Sequence, residues 1–242
     1  MAWKEVSIIR SVDVIFRWQD DLPPLDQKAV VVIDTLRATT TMATILERGA
    51  LAVLPIGDVH QAFRLRSQYP NTLLGGERNN VPLPGFDGGN SPFDYPASVV
   101  QDRRVVLTTT NGTQAVERVA SAPWVALGAL VNAKACADWQ MQAENQGLIV
   151  CAGTEGHLAL EDVLAAGALV NYWPETARSD SAQLAYALFD QWRHNLVEGI
   201  RHASHAKTLI AQGLERDVEF AASLNIYSRV PIRQKDNWFI AE

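Results

Sequence analysis

From residue 28 onward the chain alternates between short apolar runs and stretches with a helical period. Residues 28–34 read Lys-Ala-Val-Val-Val-Ile-Asp, a nearly continuous apolar run of the kind found in strands buried on both faces. A helix is expected over 39–48, stopped by Gly49, a residue suited to the left-handed position after a helix. A strand at 51–55 follows, then a helix over 59–69 capped by Asp58. Residues 71–75 read as a strand leading into a long segment rich in Gly and Pro, 76–92. The rhythm resumes with strands at 103–108, 124–128 and 148–152 and helices at 112–120, 131–146 and 160–171. Two or three further helices fit 180–224, before a last strand at 227–233. Strands alternating with helices imply βαβ crossovers. The expected fold is therefore α/β: a three-layer α/β/α arrangement around a mostly parallel mixed sheet, in one domain spanning 1–242.

Composition narrows the class. Of 242 residues, 48% are hydrophobic and 20% charged, with 15 Gly and 11 Pro, which excludes collagen-like, low-complexity and strongly disordered chains. The formal net charge of −6 gives no support for nonspecific nucleic-acid binding. No unbroken apolar run approaches the roughly 20 residues that span a bilayer, so no membrane partner is expected. The opening Met1-Ala2-Trp3-Lys4-Glu5 lacks the apolar stretch of a secretory leader. Two cysteines, Cys136 and Cys151, make no disulfide framework and fit a reducing cytoplasm. Seven Trp leave room for an aromatic interface between copies of the chain, a homo-oligomer.

In open parallel sheets, ligands bind beyond the carboxyl ends of the strands, and there the polar residues of this chain gather. Four clusters follow expected strands: Asp34-Thr35-Leu36-Arg37, Gly75-Gly76-Glu77-Arg78-Asn79, Thr108-Thr109-Thr110-Asn111-Gly112-Thr113 and Gly153-Thr154-Glu155-Gly156. They converge if their strands are parallel neighbours. Thr110 through Thr113 sit where a strand turns into a helix, either an anion cradle or a turn that binds nothing. Arg37 and Arg78 each offer a planar fork for an anionic oxygen, or a surface ion pair. Asp34 closes an apolar strand, as a hydrogen-bonded turn cap or as a ligand for a hard cation. Glu161 and Asp162 open a helix. Adjacent helical residues point about 100° apart, so one of the two is expected to face the site. The loop Asp87-Gly88-Gly89-Asn90-Ser91-Pro92 combines a carboxylate, an amide and a hydroxyl.

Several machines are absent. The chain has neither a G-x-x-x-x-G-K-[ST] loop nor a G-x-G-x-x-G. Gln142 and His157 stand where a Cys-x5-Arg phosphatase loop needs arginine, and Leu36 where an Asp-x-Asp enzyme needs aspartate. No G-x-S-x-G elbow is present. His202 and His205, three apart on an expected helix, read as structural or as supporting other ligands, and the cysteines as core.

Val31-Val32-Ile33-Asp34-Thr35-Leu36-Arg37-Ala38-Thr39-Thr40 closely resembles the opening signature of the 2-phosphosulfolactate phosphatase family. So do Gly76-Glu77-Arg78-Asn79, Gly85-Phe86-Asp87-Gly88-Gly89-Asn90-Ser91-Pro92, Thr109-Thr110-Asn111-Gly112-Thr113, Cys151-Ala152-Gly153-Thr154, Glu161-Asp162 with Ala166-Gly167, and His205 through Asp217, all in the family's order. Gly88, Asn80 and Ala221 depart from it, and none of the three removes a charged candidate. The resemblance implies a Mg²⁺-dependent phosphatase that cleaves (2R)-2-phospho-3-sulfolactate on one route to coenzyme M, with a three-layer α/β fold. Another small phosphorylated hydroxy acid, or a non-catalytic anion-binding role, is the alternative. On this reading Asp34 and Asp162, with Glu161, hold Mg²⁺. Arg37, Thr110, Asn111, Gly112 and Thr113 cradle the phosphate, and Arg78 with Asn90 and Ser91 meets the sulfonate or carboxylate. Glu77 or Asp87 serves as acid or base, and Asp34 either binds metal alone or is also the nucleophile.

Overall fold

The apolar run at 28–33 forms the strand its composition predicts, and most of the alternation that follows it holds. The computed structural model describes residues 10–143 and 146–242; the opening Met1–Glu5 read above lies outside them. In chain order the elements are β1 (Val12–Ile15), β2 (Lys28–Ile33), α1 (Ala38–Glu47), β3 (Ala52–Pro55), α2 (Val59–Gln68), β4 (Leu73–Arg78) and β5 (Val81–Pro82). Then come α3 (Ala97–Val100), β6 (Arg104–Thr108), α4 (Gly112–Arg118), β7 (Trp124–Gly128), α5 (Ala133–Gln142) and β8 (Gln146–Cys151). The chain closes with α6 (Leu160–Val170), α7 (Asp180–Trp192), α8 (Leu196–Arg201), α9 (Ser204–Ala211), α10 (Glu215–Ala221), β9 (Pro231–Arg233) and β10 (Phe239–Ala241).

Local chemistry explains the agreements and the differences. Gly49 ends α1 with a φ of +94°, and Asp58 caps α2 by accepting from the His60 amide at 2.8 Å. The strand expected at 71–75 begins at Leu73 and runs on to Arg78. Its two glycines hide the strand signal, since glycine has little β-propensity. They are there for space: a Cβ on Gly75 would sit 1.8 Å from the Tyr95 hydroxyl. The helix expected over 131–146 starts as a 3₁₀ turn, Leu130–Asn132, and α5 stops at Gln142. Residues 144 and 145 lie outside the described residues, and Gln146 opens β8 paired to Lys28. Region 180–224 holds four helices rather than two or three. The Ser179 and Asn195 side chains start α7 and α8, and Gly213, at φ +80°, follows α9.

Among the described residues the sheet has ten strands, in the order β1-β8-β2-β7-β9-β10-β3-β6-β4-β5. β1, β8, β2 and β7 form one parallel half, and β3, β6 and β4 form another. The β9–β10 hairpin joins them and is antiparallel to both neighbours, so the second half runs opposite to the first. Side chains alternate across the sheet. Val30, Val32, Val53, Val105 and Leu107 pack with α1 and α4 on one face. On the other, Val31 and Ile33 meet α5, α6 and α7, while Leu54, Leu74 and Val106 meet α2. Helices therefore cover both faces in three layers, as expected.

The polar clusters do converge, although β2 and β4 are far from being neighbours. Six inter-strand steps separate them, about 29 Å in a flat sheet. The right-handed twist, roughly 20–25° per step, turns β4 by about 120–150° relative to β2. That rotation nearly cancels the reversed chain direction and aims both sets of carboxyl ends at one cleft. Among the described residues, no helix is long and apolar enough to cross a membrane.

Candidate active site

Three buried carboxylates, Asp34, Glu161 and Asp162, lie close enough to act on one another's charge. Asp34, just past β2, accepts the Ala38 amide on Oδ1 at 3.2 Å and a bond from the Gly112 amide. A Cβ on Gly112 would lie 2.7 Å from Asp34 Oδ2, so only glycine allows the turn before α4 to approach this closely. Asp162, in the first turn of α6, accepts the Thr35 amide at 2.8 Å and the Gly153 amide at 3.0 Å. Glu161 beside it is 2% exposed. Burial, then the neighbouring Asp162 and Glu77 charges, pushes Asp34 up to about 8. Burial and Glu161 push Asp162 up to about 8, and burial and Asp34 push Glu161 up to about 7. Each carboxylate raises the cost of ionising another.

Both Glu161 and Asp162 are buried, and they face different neighbours: Glu161 Oε1 lies 3.7 Å from His205, while the Asp162 oxygens take the Thr35 and Gly153 amides.

From the other half of the sheet comes Glu77. Its Oε2 accepts the Asn80 amide at 2.8 Å, and its Oε1 takes the Thr110 amide at 3.3 Å and hydroxyl at 3.2 Å. A cavity of about 200 Å³ opens above it, lined by Glu77, Asn80, Thr110, Asn111, Thr154 and His205 among others. Asn111 makes no helix-capping bond with its side chain. His205, on α9, is part of the wall: its Nδ1 lies 3.4 Å from Thr154 Oγ1 and 3.7 Å from Glu161 Oε1. Burial and the nearby Arg37 charge lower its pKa and favour the neutral ring. His202 instead pairs loosely with Glu198 and stacks on Trp192, away from this wall.

The model of the 2-phosphosulpholactate phosphatase family matches residues 19–236. The chain belongs to that family. It is 38% identical over 221 residues to a "Probable 2-phosphosulfolactate phosphatase" of Carboxydothermus hydrogenoformans, covering 91% of this chain and 92% of the other. A protein of the same description from Deinococcus radiodurans is 41% identical over 206 residues, 83% and 85% of the two chains. One from Thermotoga maritima is 37% identical over 208 residues, 86% and 90%.

Within this family member, Thr110 and Asn111 line the cavity over Glu77, and the other expected anion-binding side chains fall into two groups. Arg37 is buried and already paired: Nη1 lies 2.6 Å from Asp217 Oδ2, both side chains being 4% exposed. The other Asp217 oxygen accepts the Ser91 hydroxyl at 2.7 Å, and Arg37 Nη2 reaches Asn80 Oδ1 at 3.5 Å. Ser91 is thus tied to Arg37, not to Arg78. Asn90 lies alongside, its carbonyl accepting from Thr41 and its buried Oδ1 unpartnered. Arg78 faces a separate cleft with Thr109 and Thr113. Thr113 gives its hydroxyl to the Thr109 carbonyl at 2.7 Å.

Asp87 is a correction. Its Oδ2 accepts the Leu74 amide at 2.8 Å and lies 3.4 Å from Arg66. Leu74 is near the start of β4, while Glu77 is near its end, so Asp87 stands away from the carboxylate cluster. His205, on the cavity wall, and Asp217, paired with Arg37, were not among the expected site residues, although both fall in the matching stretch 205–217. Among the described residues, no three or more His, Cys, Asp or Glu side chains close into a metal cage. Cys136 and Cys151 are free and buried, and burial pushes both thiols up, as befits core residues.

Proposed function

We propose that this protein is a Mg²⁺-dependent phosphatase that cleaves (2R)-2-phospho-3-sulfolactate into 3-sulfolactate and phosphate, a step towards coenzyme M. The relatives' descriptions support the ester, and the observation that carries the metal is the cluster of Asp34, Glu161 and Asp162. Three carboxylates that raise one another's pKa in a buried site have unmet need for positive charge. The donors are all hard carboxylate oxygens, which suits Mg²⁺. That ion is commonly held by one or two carboxylates and completes its shell with water and substrate phosphate, so a closed cage is not required. Asp34, Asp162 and Glu161 would hold it. Bound there, the ion would polarise the phosphoryl group and offset its charge.

The remaining work falls to the chain itself. Asn111 and Asn80 line the cavity and would donate to phosphoryl oxygens, while Arg37, fixed by Asp217, supplies positive charge from below. Glu77 is held by three donors at the base of the same cavity and would accept a proton from the attacking water. Asp34 already accepts the Ala38 and Gly112 amides, which favours direct attack by water over a phosphoryl-aspartate. A substrate whose phosphoryl group is made chiral by isotopes and sulfur tests this: inversion at phosphorus supports a single displacement by water, and retention, the mark of two displacements, rejects it.

The function itself is tested by scoring phosphate release from a panel of esters with and without Mg²⁺. The expected result is Mg²⁺-dependent release, fastest from 2-phospho-3-sulfolactate. No release from any ester would leave only an anion-binding role.

A further inference from the structure

The Gly153 amide and the Thr154 hydroxyl reach the site from the turn after β8, and that turn is too short to hold itself. Residues 154–157 form a two-residue hairpin: the Thr154 amide donates to the His157 carbonyl and the His157 amide to the Thr154 carbonyl, each at 2.9 Å. Glu155 at φ +51° and Gly156 at φ +79° give it the left-handed tip that such hairpins need. A hairpin of two bonds is at best marginal in water on its own. Its base nevertheless serves the acids and the cavity at once. Gly153 donates to Asp162 Oδ2 at 3.0 Å, Thr154 Oγ1 lies 3.4 Å from His205 Nδ1, and Thr154 and Glu155 line the cavity over Glu77.

Arg17 grips the hairpin from outside. β1 lies parallel to β8, with Ile15 level with Val150, so the chain leaving β1 emerges beside the chain leaving β8. There Arg17 Nη1 donates to the Gly156 carbonyl at 3.0 Å. The stem of the side chain runs past Gly153, where a Cβ would stand 3.6 Å from Arg17 Cγ. Asp20 aims the guanidinium, its Oδ1 taking Nε at 2.9 Å and Nη2 at 2.5 Å. The Asp20 amide bonds the Arg17 carbonyl and closes the turn that carries both residues. The family match begins at residue 19, so Arg17 lies outside it.

We propose that Arg17 is a positioning residue: by pinning the 154–157 hairpin it keeps the Gly153 amide on Asp162 and so fixes that carboxylate for the metal. Asp162 is held by two amides from two loops, Thr35 on Oδ1 at 2.8 Å and Gly153 on Oδ2. With one lost, the carboxylate turns about the other. Groups that orient a metal ligand without touching the metal typically set its affinity by about 10- to 100-fold. Arg17 stands one contact further out, so its share is smaller, roughly 5-fold. For the metal this assignment rests on the phosphatase reading; for the hold on Asp162 it does not.

The test compares the wild type, Arg17→Ala and Arg17→Lys as metal-free proteins. It reads hydrogen exchange at the Gly153 amide, calorimetric binding of Mg²⁺ alone, and the melting temperature. In Arg17→Ala the Gly153 amide should exchange at least about 10-fold faster, and Mg²⁺ should bind roughly 5-fold more weakly. The melting temperature should stay within about 2 °C, because Arg17 is 41% exposed and such an ion pair adds little stability. Arg17→Lys keeps one donor for the Gly156 carbonyl and should fall between the two. A Gly153 amide that exchanges at the wild-type rate in Arg17→Ala overturns the proposal. So does faster exchange with unchanged Mg²⁺ affinity, because the hold then fails to reach the ligand. A large fall in melting temperature assigns Arg17 to the fold as a whole and overturns it too. If the wild type binds no Mg²⁺, the metal reading fails instead. Exchange then decides alone: faster exchange upholds the hold on Asp162, and an unchanged rate ends it.

Discussion

Asp34, Glu161 and Asp162 come from the half of the sheet that contains β2 and β8; Glu77, Arg78, Thr109, Thr110 and Asn111 come from the half that contains β4 and β6. The first wall is acidic, and its charges are met by the backbone amides of Ala38, Thr35 and Gly153. The second is built from hydroxyls, amides and one guanidinium, and its own acid, Glu77, is satisfied by three donors. The difference is energetic as much as chemical. The acidic group resists ionisation in the folded chain, while the carboxylate of the other wall is satisfied by its donors. The proposed reaction would bring a cation to the first and a phosphate ester to the second.

Breaking the acidic wall has the largest expected effect. Asp34→Ala should lower Mg²⁺-dependent phosphate release about 10³- to 10⁴-fold, equivalent to about 4–5.5 kcal/mol of barrier. Steady-state phosphate release with Mg²⁺ titrated against each enzyme checks this; full Mg²⁺-dependent turnover in the variant removes Asp34 from the ligand set. Next comes the buried pair beneath the cavity. Asp217→Ala strands the Arg37 charge, which should cost about 3–5 kcal/mol and lower the melting temperature on the order of 10 °C. A calorimetric scan that shows no loss would mean Arg37 finds other compensation.

A subtler change reverses sign between stability and activity. The folded carboxylates titrate near 7 to 8, whereas in the unfolded chain they titrate near 4. Between those values the folded state binds more protons, so the stability of the metal-free protein falls as pH rises from about 4 to 8. Glu161→Gln removes one of the three charges. With metal chelated at pH 8 it should raise the melting temperature by about 2–4 °C, corresponding to about 1 kcal/mol, and weaken Mg²⁺ binding. Thermal denaturation across pH decides the matter: a metal-free wild-type protein that gains stability as pH rises contradicts the acidic wall.

These contrasts were only partly legible in the chain. Asp34 could be read because its strand is a local apolar run, and Glu161-Asp162 because acids at a helix start stand out. Their joint burial could not be read, since it depends on where the end of α6 points. Asp217 meets Arg37 from 180 positions away, and no local pattern on its short helix marks it. The opposed halves were hidden for a similar reason. The β9–β10 hairpin touches β7 only at Ala126–Ile232 and β3 only at Phe239–Val53, so three-residue strands with one registered partner on either side decide which way half the sheet runs.

The smallest expected effect separates two acids that looked equivalent along the chain. Glu77 and Asp87 both sit in polar segments near β4, yet only Glu77 lies under the cavity. The Asp87 carboxylate is 42% exposed, and its pairing with Arg66 at 3.4 Å is worth about 0–1 kcal/mol. Its firmer role is to accept the Leu74 amide, which an asparagine oxygen can also do. Asp87→Asn should therefore change kcat by less than about 2-fold and cost under about 1 kcal/mol of stability. Glu77→Gln, in the same assay, should remove most of kcat while leaving KM nearly unchanged, because a missing base is felt in the proton-transfer step rather than in binding. If Asp87→Asn loses as much kcat as Glu77→Gln, the proton passes through the loop after all, and the two acids act together despite facing different neighbours.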